Sequence, residues 1–169
     1  LRSERRRTKR MAKVTIEDIR SLRAETGAGV MDVKRALEDA GANPAKAREL
    51  LRERGLELSA RRSDRETGEG LVEAYVHPGR PLGALVELRC ETDFVARTPE
   101  FKTLAHDLVM HIAAMAPERI SGDDDGDGLA LLSQPWFRDG SQTVDQVIRG
   151  TIAKLGENIQ VKRFNRFEI

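Results

Sequence analysis

The sequence predicts an α+β protein. An N-terminal module of three helices precedes a core in which helices pack a small antiparallel sheet of about three strands. Three observations lead there. Between residues 14 and 60 apolar side chains recur at three- and four-residue intervals. From residue 71 the period drops to two, in "LVEAYV" and "LGALVELRC" on either side of "HPGRP". After Thr98-Pro99 a long helical stripe returns, and the alternating segment "NIQVKRFNRFEI" adds a third strand.

Each element has its own signals. Thr15 with Asp18 reads as a capping box before "IEDIRSLRAETG", where Ile16, Ile19 and Leu22 keep helical spacing and Gly27 stops the helix. The second helix, "GVMDVKRALEDAG", carries Val30, Val33, Leu37 and Ala40 on one stripe, with Gly41 after it. Asn43-Pro44 supplies an N-cap and a first-turn proline for the third helix, which is expected to break at Gly55. Residues 61–70, "RRSDRETGEG", are charged and without apolar period, which marks a linker. Val72, Ala74 and Val76 then alternate with Glu73, Tyr75 and His77. After the turn, Leu82, Ala84, Val86, Leu88 and Cys90 alternate with Leu85, Glu87 and Arg89, giving a hairpin with one face buried. Thr98-Pro99 starts a helix whose stripe is Phe101, Leu104, Ala105, Leu108, Val109, Ile112 and Ala113. "SGDDDGDG" (121–128) reads as an acidic loop, and "TVDQVIRGTIAKLG" as a last amphipathic helix stopped by Gly156. The boundaries are a basic leader or extension at 1–10, a three-helix module at 12–58, a linker at 59–70 and a core at 71–169.

Composition narrows the class. Charged residues make up 34% and apolar ones 39% of the 169 residues, and no apolar run approaches the roughly 18 residues a membrane helix needs. The single cysteine excludes an internal disulfide and fits a reducing compartment. The net charge of +1 conceals an asymmetry: "LRSERRRTKR" holds six basic residues and one acid, and the remainder is net acidic. Met11 opens "MAKVTIEDI" like a natural start, so residues 1–10 read as a leader or upstream extension, with a basic arm for RNA or membrane as the alternative.

Few residues suggest chemistry. Asp123, Asp125, Asp127 and Gly128 match the start of a calcium loop, but its position 12 is Gln134 instead of Glu, so a solvated loop is the reading. His106 and His111 are five apart, on different helix faces and poorly placed for one metal; an Asp107–His111 surface pair at i,i+4 is expected instead. His77 belongs to the turn, and Cys90 is a small buried hydrophobe. Phosphate-loop, nucleophile-elbow and paired-carboxylate signatures are missing from the sequence, so no enzymatic activity, cofactor or metal is expected. "VKRFNRF" interleaves Lys162, Arg163 and Arg166 with Phe164 and Phe167, a pattern that also suits RNA. Finally, "ETDFV" puts Phe94 in the first turn of a helix behind Thr92 and Asp93, in a chain with only one Trp, one Tyr and five Phe. Phe94 either folds back on the following helix or serves as an exposed anchor.

Three separated stretches, "LRAETGAGVMDVKRAL" (22–37), "ELRCETDFVAR" (87–97) and "AKLGENIQVKRFNRFEI" (153–169), closely resemble the elongation factor Ts family. Their order and spacing match too, as do "AYVHPGRPLGALVE" and "LLSQPWFRDGSQTV" between them. The resemblance implies a ubiquitin-associated-like three-helix module, then a core that dimerises in the short form of the family. The implied activity is guanine-nucleotide exchange on translation elongation factor Tu, with no bond chemistry of the chain's own and no direct nucleic-acid or membrane partner. The implied compartment is the cytoplasm, with an organelle left open. Arg23, Val30 and Met31 take the module's docking role, and Thr92, Asp93, Phe94 and Val95 take that of the segment that dislodges the partner's magnesium. Two features depart from the family pattern. Only "PERISGDDDGDGLA" (117–130) bridges a position where members commonly carry a longer insertion, and Val30 stands where Met is frequent. The competing readings are an RNA-binding protein using the basic leader and "VKRFNRF", and a helical peptide-binding adaptor using residues 14–55.

Overall fold

The computed structural model describes residues 13–122 and 128–169; the basic leader and the aspartates of the calcium-like pattern, Asp123, Asp125 and Asp127, lie outside them. The order of elements is α1 (Ile16–Thr26), α2 (Val30–Asp39), α3 (Pro44–Ala60), β1 (Glu69–Val76), β2 (Leu82–Cys90), α4 (Asp93–Ala96), α5 (Pro99–Met115), β3 (Pro135–Trp136), β4 (Asp139–Thr143), α6 (Val144–Leu155) and β5 (Ile159–Glu168). The chain forms two compact units that divide within α3, between Arg54 and Gly55.

The first unit is held by a small cluster of Leu22, Val33, Ala36, Leu37, Ala40 and Ala47, flanked by Ile19, Leu50 and Leu51. The Thr15–Asp18 capping box forms in both directions, and Gly27 closes α1 in the left-handed region at φ 67°. The Asn43 side chain accepts the Lys46 N–H at 3.1 Å and starts α3. The stripes are narrower than the sequence suggests: Ile16 is 71% exposed and Val30 lies outside the cluster.

In the second unit, the hairpin β1–β2 and the terminal β5 make one antiparallel sheet of order β1-β2-β5. Helix α5 lies across its inner face. All seven residues of the predicted α5 stripe are buried, Phe101, Ala105, Leu108, Val109 and Ile112 completely. They meet Ala84, Val86, Leu88 and Cys90 of β2 with Ile148 and Ile152 of α6 in one core. Burying side chains of this size contributes roughly 1.5–3 kcal/mol each.

Three features differ from the sequence reading. Helix α3 runs unbroken through Gly55. One glycine costs a helix only about 1 kcal/mol, and here a Cβ would come 3.1 Å from that of Ala153, so its absence lets α3 approach α6. On β1 the apolar set Val72, Ala74 and Val76 faces outward, while Leu71 and Tyr75 pack against the core. The register explains this: Val72 pairs with Glu87 and Ala74 with Leu85, both on the outer face of β2. Third, "QPWFRDGSQT" contains a second small hairpin, β3–β4, that the sequence reading does not include. Its last residue, Thr143, forms a capping box with Gln146 that starts α6.

Candidate functional site

The side chains singled out in the sequence fall in two places. Arg23 lies in the last turn of α1, exposed, and its carbonyl accepts the Gly27 N–H at 2.8 Å. Val30 and Met31 begin α2 and are 46% and 58% exposed. All three therefore sit on the surface of the first unit. Thr92, Asp93, Phe94 and Val95 lie together in the second unit, at the exit of β2.

Why the chain turns there is local chemistry. β2 stops at Cys90, and Thr92 adopts an extended conformation as N-cap of the four-residue α4, its hydroxyl accepting the Val95 N–H. Thr98 repeats the device for α5 three residues beyond Val95, with Pro99 in the first turn. Between the two caps, Val95 and Ala96 turn into the core, while Phe94 points away and is 83% exposed. In this structure Phe94 does not fold back on α5. Asp93 forms an i,i+4 ion pair with Arg97 at 2.8 Å, so its charge is partly offset on this surface.

Thr92 is tied down by every hydrogen-bonding group it has. Its N–H and its hydroxyl donate to the two oxygens of Glu157, at 3.0 and 2.6 Å. Its carbonyl accepts from the Ala96 N–H at 3.2 Å and from the Cys90 thiol, also at 3.2 Å. Burial and the nearby Glu157 carboxylate push that thiol up to about 11, so Cys90 stays protonated as a donor and is unsuited to nucleophilic work. The neighbouring residues reciprocate: the Asn158 N–H donates to Glu91 at 2.7 Å. The Asn158 side chain, 2% exposed, donates to the carbonyls of Ser63 at 3.1 Å and Arg65 at 2.8 Å. The linker that follows α3 is thus pinned beside the turn. Sequence spacing gives no hint of these contacts, because Glu157 is 65 residues from Thr92.

The remaining candidates resolve as structural. His111 is fully buried and does not pair with Asp107, which binds Arg138 at 2.6 Å instead. Its Nδ1 accepts the Phe137 N–H, so Nε2–H donates to Gln134 Oε1 at 3.0 Å, and its ring stacks on Trp136. His106 pairs with Glu73 of β1. His77 accepts the Gly79 N–H inside the hairpin turn. Among the described residues no group of three His, Cys, Asp or Glu side chains is placed to hold a metal, and no helix is long and apolar enough to cross a membrane.

On β5 the basic residues are largely engaged. Arg163 binds Glu87 at 2.6 Å, and Arg166 binds Glu168 and the Ala113 carbonyl. The Arg89 guanidinium, and after it Arg163, hold the Glu87 carboxyl below its ordinary range. Phe164 packs on the core and only Phe167 is exposed. The strand keeps an exposed Lys162 but lacks the paired exposed rings of a base-stacking surface.

The family model described as elongation factor TS matches residues 8–127 and 91–169, two overlapping segments that reach the end of the chain. An elongation factor Ts of Rubrobacter xylanophilus is 40% identical, with 91% of this chain and 98% of that protein aligned. One of Rippkaea orientalis is 40% identical over 93% of this chain and 78% of its own length. One of Carboxydothermus hydrogenoformans is 39% identical over 92% and 89%. The alignments run to 191–195 positions, more than the 169 residues here, so relatives carry segments this chain lacks. With the three-helix unit, the three-stranded core and the turn bearing Phe94 in place, the chain belongs to the elongation factor Ts family of translation elongation factors.

Proposed function

We propose that this chain binds elongation factor Tu and accelerates its release of GDP, so that GTP can enter. The observation that carries the reading is Phe94: a large ring, 83% exposed, on a turn whose backbone is fixed by hydrogen bonds. Single exposed apolar residues are common, but an aromatic anchor entering a partner pocket contributes about 2 kcal/mol or more, and a preformed turn lowers the cost of ordering it.

Nothing in the proposed task requires bond chemistry. Thr92, Asp93 and Phe94 enter beside the partner's magnesium and phosphates with Phe94 as a wedge, while Val95, expected from the sequence to share that role, is buried and anchors the turn in the core. Asp93 comes already paired to Arg97, so steric displacement by the ring outweighs added negative charge. Arg23, Val30 and Met31 dock the first unit on the partner's nucleotide domain, with Val30 and Met31 as the apolar contact. Thermodynamic linkage does the rest: a factor that binds the nucleotide-poor state weakens GDP by the same ratio by which GDP weakens the factor. GTP hydrolysis belongs to the partner.

The same reading includes a homodimer. The outer face of the sheet exposes Val72, Val76, Leu85 and Phe167, an apolar surface that a second copy would cover. Titrating the chain into elongation factor Tu loaded with labelled GDP tests the exchange reading. The release rate should rise with concentration and level off, and a rate independent of the chain would contradict it.

A further inference from the structure

We propose that Glu157 is a positioning residue for nucleotide exchange, holding Phe94 in its exposed pose by fixing Thr92; this rests on the exchange reading above. The argument begins with hydroxyl polarity. The Thr92 hydroxyl has one proton, and it must accept the Val95 N–H to cap α4. By taking that proton at 2.6 Å, Glu157 Oε1 turns the lone pairs toward Val95. The second oxygen, Oε2, takes the Thr92 N–H at 3.0 Å. The backbone N–H and the hydroxyl of the residue before Asp93 and Phe94 are thus held by one carboxylate.

The carboxylate is itself held. Helix α6 ends at Gly156, in the left-handed region at φ 80°, with its N–H on the Ile152 carbonyl. That stop sets Glu157 beside the β2 exit. Asn158, the next residue, fixes Glu91 on the other side of the turn through its own N–H at 2.7 Å. The two turns therefore exchange hydrogen bonds in both directions: Glu157 binds Thr92, and Glu91 binds Asn158. α4 has only four residues, too few to be helical without outside support. Its exposed ring depends on this clamp more than on its own helix.

The test uses Glu157→Ala, with Glu157→Gln as a milder variant that keeps the side-chain size and loses one acceptor. Amide hydrogen exchange on the free chain reads the clamp without any partner, and stimulated GDP release reads its consequence. The expected result is faster exchange at the Thr92 and Val95 amides, unchanged protection at Leu108, and GDP release lowered about tenfold for Glu157→Ala. Glu157→Gln should fall between it and the parent chain. Adding Phe94→Ala to Glu157→Ala should lower release no further than Phe94→Ala alone, because both changes remove the same interaction. A merely structural Glu157 would lower the melting temperature and give multiplying, independent losses in the double variant. That outcome, or full stimulation by a folded Glu157→Ala, overturns the assignment; if Glu157→Ala does not fold, full stimulation by Glu157→Gln does so. A parent chain that does not stimulate release contradicts the exchange reading and this assignment with it. Amide exchange still distinguishes that case from an absent clamp.

Discussion

The imidazole of His111 donates Nε2–H to the side-chain carbonyl of Gln134, 23 residues away, inside a site closed to solvent. Gln134 passes the constraint on, its amide donating to the carbonyls of Met115 and Gly128. One buried pair therefore fastens the segment leading into β3 onto α5.

This pair makes stability depend on pH. Burial holds the His111 pKa below the usual histidine value, so the folded state resists the proton that the unfolded chain accepts. Its contribution is complete above the unfolded pKa of about 6.5 and is lost as pH falls below that value toward the depressed folded pKa. Unfolding free energy should decline between pH 7 and 5, by at most about 1.4 kcal/mol per pH unit from this group. His111→Gln should have a flatter profile over that window. Parallel denaturation profiles would contradict the assignment of His111.

Phe94 and Leu108 should respond oppositely to truncation. Phe94 is exposed and Leu108 is fully buried in the α5 stripe. Phe94→Ala should change stability by less than about 1 kcal/mol, whereas Leu108→Ala should cost about 2–5 kcal/mol. Melting curves of the two variants decide, and a strongly destabilised Phe94→Ala would mean that the ring packs in solution.

Gly70 is required by the close pairing of β1 with β2. It sits at φ 150°, and a Cβ there would lie 2.1 Å from the Leu88 carbonyl oxygen. Gly70→Ala should cost more than about 1 kcal/mol, read as a lower melting temperature. Gly68→Ala, where a Cβ meets nothing within 4 Å, is the control and should stay within about 0.5 kcal/mol.

The proposed covering of the outer sheet face by a second copy predicts a dimer at micromolar concentration. Phe167→Glu places a charge on the exposed outer face, where Phe167 is 64% exposed, and should shift the mass from dimer to monomer in light scattering. A parent chain with the monomer mass throughout that range would remove the dimer from the account.

What the sequence made legible was mostly local. Thr15, Asn43, Thr98 and Gly156 each announce a helix end within a few residues of the group they satisfy. The α5 stripe is read from spacing alone, because a helix buried on one side must repeat its apolar residues. The inward face of β1 was not legible, since period two identifies a strand but cannot choose between two apolar faces; that choice lies in the register with β2. His111 was misread because Asp107 is four residues away and Gln134 is not. The turn at Phe94 was visible from Thr92, but the groups that hold it, Glu157 and Asn158, reach it from the far end of the chain.

The most direct test of the account is the rate of GDP release from elongation factor Tu with the parent chain and with Phe94→Ala, at equal concentrations of folded protein. The account predicts marked acceleration by the parent chain. It predicts about thirtyfold less stimulated release by Phe94→Ala, the equivalent of roughly 2 kcal/mol. Acceleration by Phe94→Ala equal to that of the parent chain would contradict the wedge.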